Sequence, residues 1–98
     1  MSAENRKFIV LHIQKDSFTV CRGIFSDFYK AVGKCVCLIS DKNDTWLENG
    51  YTLTYQTDMW STETENGFGW YRKYVHENPE IVIEETWLVI EAECEDDQ

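Results

Sequence analysis

The residue types most often used for nucleophilic catalysis or metal binding are cysteine and histidine, and this chain has six of them: His12, Cys21, Cys35, Cys37, His76 and Cys94. A catalytic thiol needs a neighbouring base or a helix start that lowers its pKa, and no cysteine here has such a setting. The Cys35-Val36-Cys37 spacing lacks the two-residue spacer that zinc ligands usually have. We therefore expect buried structural thiols and structural histidines, with no metal and no cofactor.

Neighbouring carboxylates, which serve as acid and base in glycosidases, are also present. The pairs are Glu63 with Glu65, Glu84 with Glu85, and Glu91 with Glu93. Nothing in the sequence raises the pKa of one partner above the other, and these stretches are typical of solvated surface. The chain has neither a glycine-rich phosphate loop nor a basic stripe that would contact nucleic acid directly. We expect a protein that is not an enzyme.

Charge is distributed unevenly along the chain. Residues 1–42 contain seven Lys or Arg against four Asp or Glu, whereas residues 43–98 contain two against fourteen. The first part is therefore about +3 and the second about −12, which together give the formal net charge of −9. Small domains commonly carry a net charge of about 2–8 in magnitude. A field this acidic repels nucleic acid and membrane surfaces and attracts basic partners.

The candidate catalytic, metal-binding and charged residues must be positioned by one small domain. Ninety-eight residues, 43% of them hydrophobic, are enough for a single core. Apolar patterns predict strands over 7–14, 18–22, 34–40, 51–59, 68–76 and 80–93. A helix of about two turns is predicted between the second and third strands, with Ser26 as its N-cap and Gly33 at its end.

These elements predict an α+β fold for residues 1–98. We expect a twisted, mainly antiparallel sheet of about five or six strands with one short helix packed on it, in the order β-β-α-β-β-β-β. Residues 1–6 and 94–98 are expected to fray. The N-terminus lacks the apolar run of a signal peptide, and no stretch approaches the length of a membrane span. We therefore expect a cytoplasmic protein.

The last strand is predicted to present a row of acids. Glu91, Glu93 and Glu95 repeat at every second position, which places their carboxylates about 6.7 Å apart on one face. Duplex DNA has one phosphate per about 3.4 Å along each strand, so this row, with Glu84 and Glu85, approximates a phosphate backbone. A solvated edge strand is the alternative interpretation. We expect Arg72 and Lys73 to pair with glutamates across strands.

An aromatic and acidic connection forms the second candidate feature. Trp60, Phe68 and Trp70 flank a polar segment that contains Glu63 and Glu65. Long ordered connections often carry function, and exposed aromatic rings surrounded by acids are typical of protein-binding hot spots. The candidate partner-binding residues are therefore Trp60, Glu63, Glu65, Phe68, Trp70, Glu84, Glu85, Glu91, Glu93 and Glu95.

These features favour a non-enzymatic inhibitor or immunity-type protein. It would occupy the basic site of a nucleic-acid-binding protein, as a DNA mimic of phage or mobile-element origin acting against a defence system in the bacterial cytoplasm. The comparison with such inhibitors rests on size and charge alone. One alternative is a structural or homo-oligomeric subunit that uses exposed aromatics as its interface, and a homodimer is compatible with inhibition. Another is a small-ligand or carbohydrate-binding module.

Overall fold

The computed structural model describes residues 6–60 and 68–93, which form a five-stranded sheet with one helix. The strands are β1 (Arg6–Gln14), β2 (Phe18–Phe25), β3 (Tyr51–Trp60), β4 (Phe68–His76) and β5 (Val82–Glu93), and the helix is α1 (Phe28–Glu48). The predicted α+β class is confirmed. The termini predicted to fray lie outside the described residues, except for Arg6, which begins β1.

The strands are arranged in the order β2-β1-β5-β4-β3, and every neighbouring pair is antiparallel. The strand nearest the C-terminus is therefore the central one. It joins the β1–β2 hairpin on one side to the β3–β4 hairpin on the other. Because side chains alternate between the two faces of a strand, each strand sends every second residue toward α1.

Two features of β1 and β2 fix their local geometry. The turn between them contains Asp16 at φ 63°, a left-handed conformation that Asp tolerates better than most residues. In the ladder, Val10 pairs with Gly23 and Leu11 pairs with Cys21. Arg22 is thus an extra residue in β2, and such a β-bulge changes the direction of its side chain.

Helix α1 is longer than predicted and replaces one predicted strand. The apolar run at 34–40 continues the helix, because Ala31, Cys35 and Ile39 recur at four-residue spacing and form its buried stripe. Asp27, one residue after the predicted cap, is the N-cap, and its carboxylate accepts a hydrogen bond from the Tyr29 amide at 3.0 Å. Gly33 does not end the helix but lies exposed within it.

The arrangement of the cysteines also differs from the prediction, because residues 34–40 are helical and not extended. In a strand Cys35 and Cys37 would share a face, whereas residues two apart in a helix point in different directions. Cys35 is fully buried, and this burial raises the pKa of its thiol to about 12. Cys21 and Cys37 are exposed, so the expectation of buried thiols holds for Cys35 among the described cysteines.

The core lies between α1 and one face of the sheet. Its buried members are Phe8, Val10, Ala31, Cys35, Ile39, Trp87 and Val89. Fully burying one side chain of the size of Val or Phe contributes about 1.5–3 kcal/mol. This single layer of contacts holds the helix against β1 and β5. The buried polar residues His12 and Glu85 lie beside it.

Candidate functional site

A buried polar cluster centred on Glu85 lies beside the core. The side chains of His12 and Glu85 are 0% and 1% exposed. Glu85 Oε2 lies 3.0 Å from His12 Nε2 and 3.0 Å from Trp46 Nε1. The other carboxylate oxygen accepts a longer hydrogen bond, 3.4 Å, from Trp87 Nε1. One carboxylate therefore receives hydrogen bonds from β1, from β5 and from the last turns of α1.

Arg22 determines the tautomer of His12. The Arg22 guanidinium approaches His12 Nδ1 at 3.1 Å. Because a guanidinium can only donate hydrogen bonds, Nδ1 must accept, and the ring proton then resides on Nε2 and is donated to Glu85. The β-bulge in β2 supplies this contact, since Arg22 is the residue without a partner in the ladder. The imidazole thus bridges the Arg22 guanidinium and the Glu85 carboxylate.

This cluster acts as a structural tie between α1 and the sheet. Each hydrogen bond of the Glu85 carboxylate is made by a protein group, and the ring of His12 is covered by Trp87 on one side. Glu85 was predicted to belong to a solvated acidic surface, and this prediction is wrong because the side chain is buried. Its burial follows from the parity of β5, which turns Glu85 toward the helix and Glu84 away from it.

Glu84 lies in a second polar group on the opposite face of the sheet. Tyr71 donates its hydroxyl proton to Glu84 Oε1 at 2.7 Å, and Lys15 Nζ lies 3.5 Å from Glu84 Oε2. The hydrogen bond from Tyr71, together with the nearby lysines, lowers the pKa of the Glu84 carboxyl. The same bond raises the pKa of Tyr71 to about 12. In the ladder Lys73 is opposite Glu84 and Arg72 is opposite Glu85. Among the described residues, however, the salt bridges of these two glutamates are made by Lys15 and His12, so the predicted cross-strand pairing applies to the register and not to the charged groups.

The predicted aromatic residues lie at the edge of the core. The rings of Phe68 and Trp70 are half-buried, 4.1 Å apart between centroids, and pack against the core cluster. The backbone of Trp60 pairs with that of Phe68 at the end of the β3–β4 ladder. Glu63 and Glu65 lie outside the described residues. Tyr55 on β3 has an exposed ring, at 56%.

The acids predicted to form one row do not lie together on one face of the sheet. Glu91 is opposite Phe8 in the ladder and lies on the face of β5 that α1 covers. The backbone of Glu93 pairs with that of Arg6. Glu84 points to the other face, and Glu95 lies outside the described residues. The candidate acids are therefore divided between two faces of the sheet and do not form one surface.

The structure instead brings five other carboxylates to one end of the molecule. This acidic end consists of Asp41, Asp44, Glu48, Glu77 and Glu80, all with exposed side chains. The first three belong to the last two turns of α1, at spacings of three and four residues that place them along one stripe. The predicted elements leave positions 41–50 between two strands, so the sequence pattern does not group these acids. Continuing the helical period beyond Ile39 would have revealed the stripe.

The β4–β5 turn contributes Glu77 and Glu80, the remaining two residues of the acidic end. The Glu77 amide donates to Gly50 O at 3.0 Å, and the Gly50 amide donates to Leu47 O at 3.3 Å. The Glu77 carboxylate lies close to Gly50, which is two residues beyond Glu48, the last residue of α1. Glu80 follows in the same turn, where its amide bonds to Asn78 Oδ1. The β4–β5 turn is therefore hydrogen-bonded to the residues that follow α1, and its two acids lie at the same end of the fold as the helical acids.

The acidic end lies at the unfavourable end of the helix dipole. The C-terminal end of a helix carries a partial negative charge, which favours nearby cations and disfavours carboxylates. α1 has no basic residue in its last turn, and its lysines at positions 30 and 34 lie in the first half. Lys42 projects over the ring of Trp46, 5.1 Å from its centroid. None of the five carboxylates forms a salt bridge with any described residue.

A small cavity opens between α1 and β4. Its volume is about 210 Å³, and its lining includes Ser40, Asn43, Trp70 and Arg72. The Nε of Arg72 is buried and has no hydrogen-bond partner within the described part of the chain. Ligand pockets are usually larger, at about 300–1,000 Å³. The cavity can therefore hold a few water molecules or a very small anion rather than a sugar ring.

Comparisons with known proteins gave no relative: no family model, no curated protein and no solved structure matches this chain. In residues 6–60 and 68–93, no helix is both long enough and apolar enough to cross a membrane. Over the same residues, no three His, Cys, Asp or Glu side chains are grouped as metal ligands would be.

Proposed function

We propose that this chain is a non-enzymatic binding protein whose acidic end occupies a basic site on a partner protein that binds nucleic acid. The observation that carries the proposal is the convergence of Asp41, Asp44 and Glu48 with Glu77 and Glu80 at one end of the fold. Such a role places the protein with its partner, which is in the bacterial cytoplasm if the chain is encoded by a phage.

The spacing of the helical acids supports a phosphate-like pattern. Along α1, Asp41 and Asp44 are separated by about 4.5 Å of axial rise, and Asp44 and Glu48 by about 6 Å. The phosphates of one DNA strand are separated by about 3.4 Å along the duplex axis. The carboxylates therefore recur at between one and two phosphate steps. A basic groove that reads nucleic acid by charge would accept such a row.

The energetics of α1 also support a binding role. Carboxylates in the last turn of a helix each destabilise it by about 0.3–1 kcal/mol at low salt. Asp44 and Glu48 have no described cation to offset this cost, and Glu77 adds a third negative charge nearby. A partner that supplies Lys or Arg at this end would remove the repulsion. Residues that lower stability without a structural benefit are typical of functional surfaces.

Affinity capture with two matched variants tests the proposal. The first variant, D44N/E48Q, neutralises two carboxylates of the acidic end. The control, D16N/D27N, neutralises two exposed carboxylates elsewhere, and Asn serves as an N-cap as well as Asp does. The tagged proteins are incubated with a bacterial lysate, and bound proteins are released with duplex DNA and identified by mass spectrometry.

We expect a basic nucleic-acid-binding protein to be released by DNA from the wild type and from D16N/D27N, and to be absent from D44N/E48Q. Association with the purified partner should slow as salt rises, because charge steering is screened. Equal capture by both variants would remove the acidic end from the binding surface. If DNA releases no protein from the wild-type chain, the proposed function is wrong.

A further inference from the structure

On the side of the sheet that points away from α1, the β2–β1–β5 part is mainly aliphatic, whereas the β3–β4 part includes Tyr55, Tyr71 and Lys73. No described residue covers the aliphatic part. Along β1, Val10 and His12 are 0% exposed on the helix side, whereas Ile9, Leu11 and Ile13 between them remain partly exposed on the other side. We call this surface the open face and define it by Ile9, Leu11, Ile13, Ile24, Leu88 and Ile90. Ile24 is 62% exposed and Ile90 is 36% exposed.

The register places these side chains in adjacent rows. Ile9 is opposite Ile24 on one side and Ile90 on the other. Leu11 is opposite Leu88 of β5. The central strands β1 and β5 therefore present a continuous aliphatic surface. Exposed apolar patches larger than a few hundred Å² are rare on monomers and usually mark an interface.

Charged side chains are confined to the two ends of the open face. Lys7, opposite Ala92, lies at one end. The group formed by Lys15, Tyr71 and Glu84 lies at the other. The helical carboxylates of the acidic end lie in the opposite layer of the fold. Two copies can therefore meet through their open faces without bringing these carboxylates together.

The whole side of the sheet that faces away from α1, of which the open face is the β2–β1–β5 part, is large enough for a stable dimer. Five strands at about 4.8 Å spacing and about nine residues of about 3.3 Å each make a face of about 24 by 30 Å, or about 700 Å². Specific protein interfaces of standard size bury about 800 Å² per partner.

We propose that a second copy of this chain packs against the open face and forms a symmetric dimer. The two sheets would lie face to face with their aliphatic side chains interdigitated, and the two α1 helices would lie outside. Twofold dimers are the commonest oligomers, and one self-complementary face is all that they require. This inference does not depend on the function proposed for the acidic end.

Sedimentation of the wild type and of Ile90→Lys tests the dimer. The wild-type chain at micromolar concentration should sediment at twice the 11.6 kDa of one chain. Ile90→Lys should sediment as a monomer with unchanged far-UV circular dichroism, because a lysine in the centre of the interface would be buried without a partner. Leu47→Lys, on the exposed side of α1 at 48% exposure, is the matched control and should remain a dimer.

Other outcomes would overturn the proposal. A wild-type chain that stays monomeric over the whole concentration range, or an Ile90→Lys variant that stays dimeric, would contradict it. If Ile90→Lys does not fold, Ile24→Lys at the sheet edge replaces it, since Ile24 is more exposed and tolerates a charged side chain better in the monomer. A dimeric Ile24→Lys variant would then count against the interface.

Thiol modification identifies the face that is covered. Cys21 is opposite Leu11 in the ladder and therefore lies on the open face, whereas Cys37 is exposed on α1. In the wild type, iodoacetamide should modify Cys37 at least tenfold faster than Cys21. In a monomeric variant the two rates should approach each other. Equal rates in a dimeric wild type would place the interface elsewhere.

Discussion

The imidazole of His12 stacks on the indole of Trp87, with ring centroids 3.8 Å apart and planes inclined by 6°. The two residues are opposite each other in the β1–β5 ladder, and both donate a hydrogen bond to Glu85. Three side chains from two strands are thereby held in one arrangement. A register shift of one residue between β1 and β5 would break all of these contacts, so the cluster specifies the strand pairing.

Glu85→Ala should therefore be among the most destabilising single substitutions in the chain. It leaves the N–H groups of His12 and Trp46 buried without an acceptor, and we expect a loss of about 3 kcal/mol or more in the free energy of unfolding. Urea denaturation followed by tryptophan fluorescence measures this loss. Glu84→Ala, one residue earlier on the exposed side, is the control and should have a much smaller effect. An equal loss in both variants would contradict the structural role of Glu85.

The Tyr71–Glu84 hydrogen bond predicts a loss of stability in alkali. The pKa of Tyr71 is about 12 in the folded protein, against a usual value of 10. The unfolded state therefore releases this proton first, and the contribution of Tyr71 to stability is present below pH 10 and lost between about pH 10 and 12. Tyr71→Phe should lose less stability over that interval than the wild type.

Spectrophotometric titration provides the corresponding control. In Glu84→Gln the charge that raises the pKa of Tyr71 is absent, so one tyrosine should ionise at lower pH than in the wild type. The remaining tyrosines serve as an internal reference, since the difference between Tyr71→Phe and the wild type isolates the Tyr71 signal. Identical titration curves for Glu84→Gln and the wild type would show that the hydrogen bond is absent in solution.

Neutralising the acidic end should stabilise the isolated protein. In D44N/E48Q the repulsion between the carboxylates and the C-terminal end of α1 is removed, and we expect a gain of about 0.5–1 kcal/mol at low salt. The gain should shrink as salt screens the charges. Asp27→Asn at the other end of α1 should have the opposite sign, because Asp27 lies at the positive end of the dipole. Urea denaturation of D44N/E48Q and of Asp27→Asn, each at low and at high salt, measures both changes in the free energy of unfolding.

Gly33→Ala tests whether α1 continues through position 33. Within the helix Gly33 is exposed, and a Cβ there would meet no atom within 4 Å. Alanine should therefore stabilise the protein by about 1 kcal/mol, with a small increase in helical circular dichroism. Gly50, at φ +89°, is the matched control, and Gly50→Ala should destabilise. Destabilisation by Gly33→Ala would instead support the short helix expected from the sequence.

Sequence patterns predicted the strands well because each has a clear signal. The turn at Lys15–Ser17, the alternation in β3 and the break before β5 all lie where polar or turn-forming residues interrupt apolar runs. The segment 34–40 was assigned wrongly, because a short apolar run is compatible with a buried strand and with a helix. The four-residue recurrence of Ala31, Cys35 and Ile39 was the signal that favoured the helix.

The sites were less predictable than the fold. Alternation correctly separates Glu84 from Glu85, but it does not say which of them α1 covers. The burial of Glu85 depends on Trp46, which belongs to a part of α1 that lies outside the predicted helix. Arg22 reaches His12 through a bulge, and no local sequence signal identifies that irregularity. Long-range contacts of this kind require the tertiary structure.

The central position of β5 has a consequence for folding. The β1–β2 and β3–β4 hairpins are local and can form early, but they become one sheet only when β5 inserts between them. Pairing of β1 with β5 joins opposite ends of the chain, and such distant contacts slow folding. During synthesis the apolar surfaces of both hairpins stay exposed until β5 has left the ribosome. The rate of productive folding will therefore depend on how quickly β5 pairs with β1 and β4.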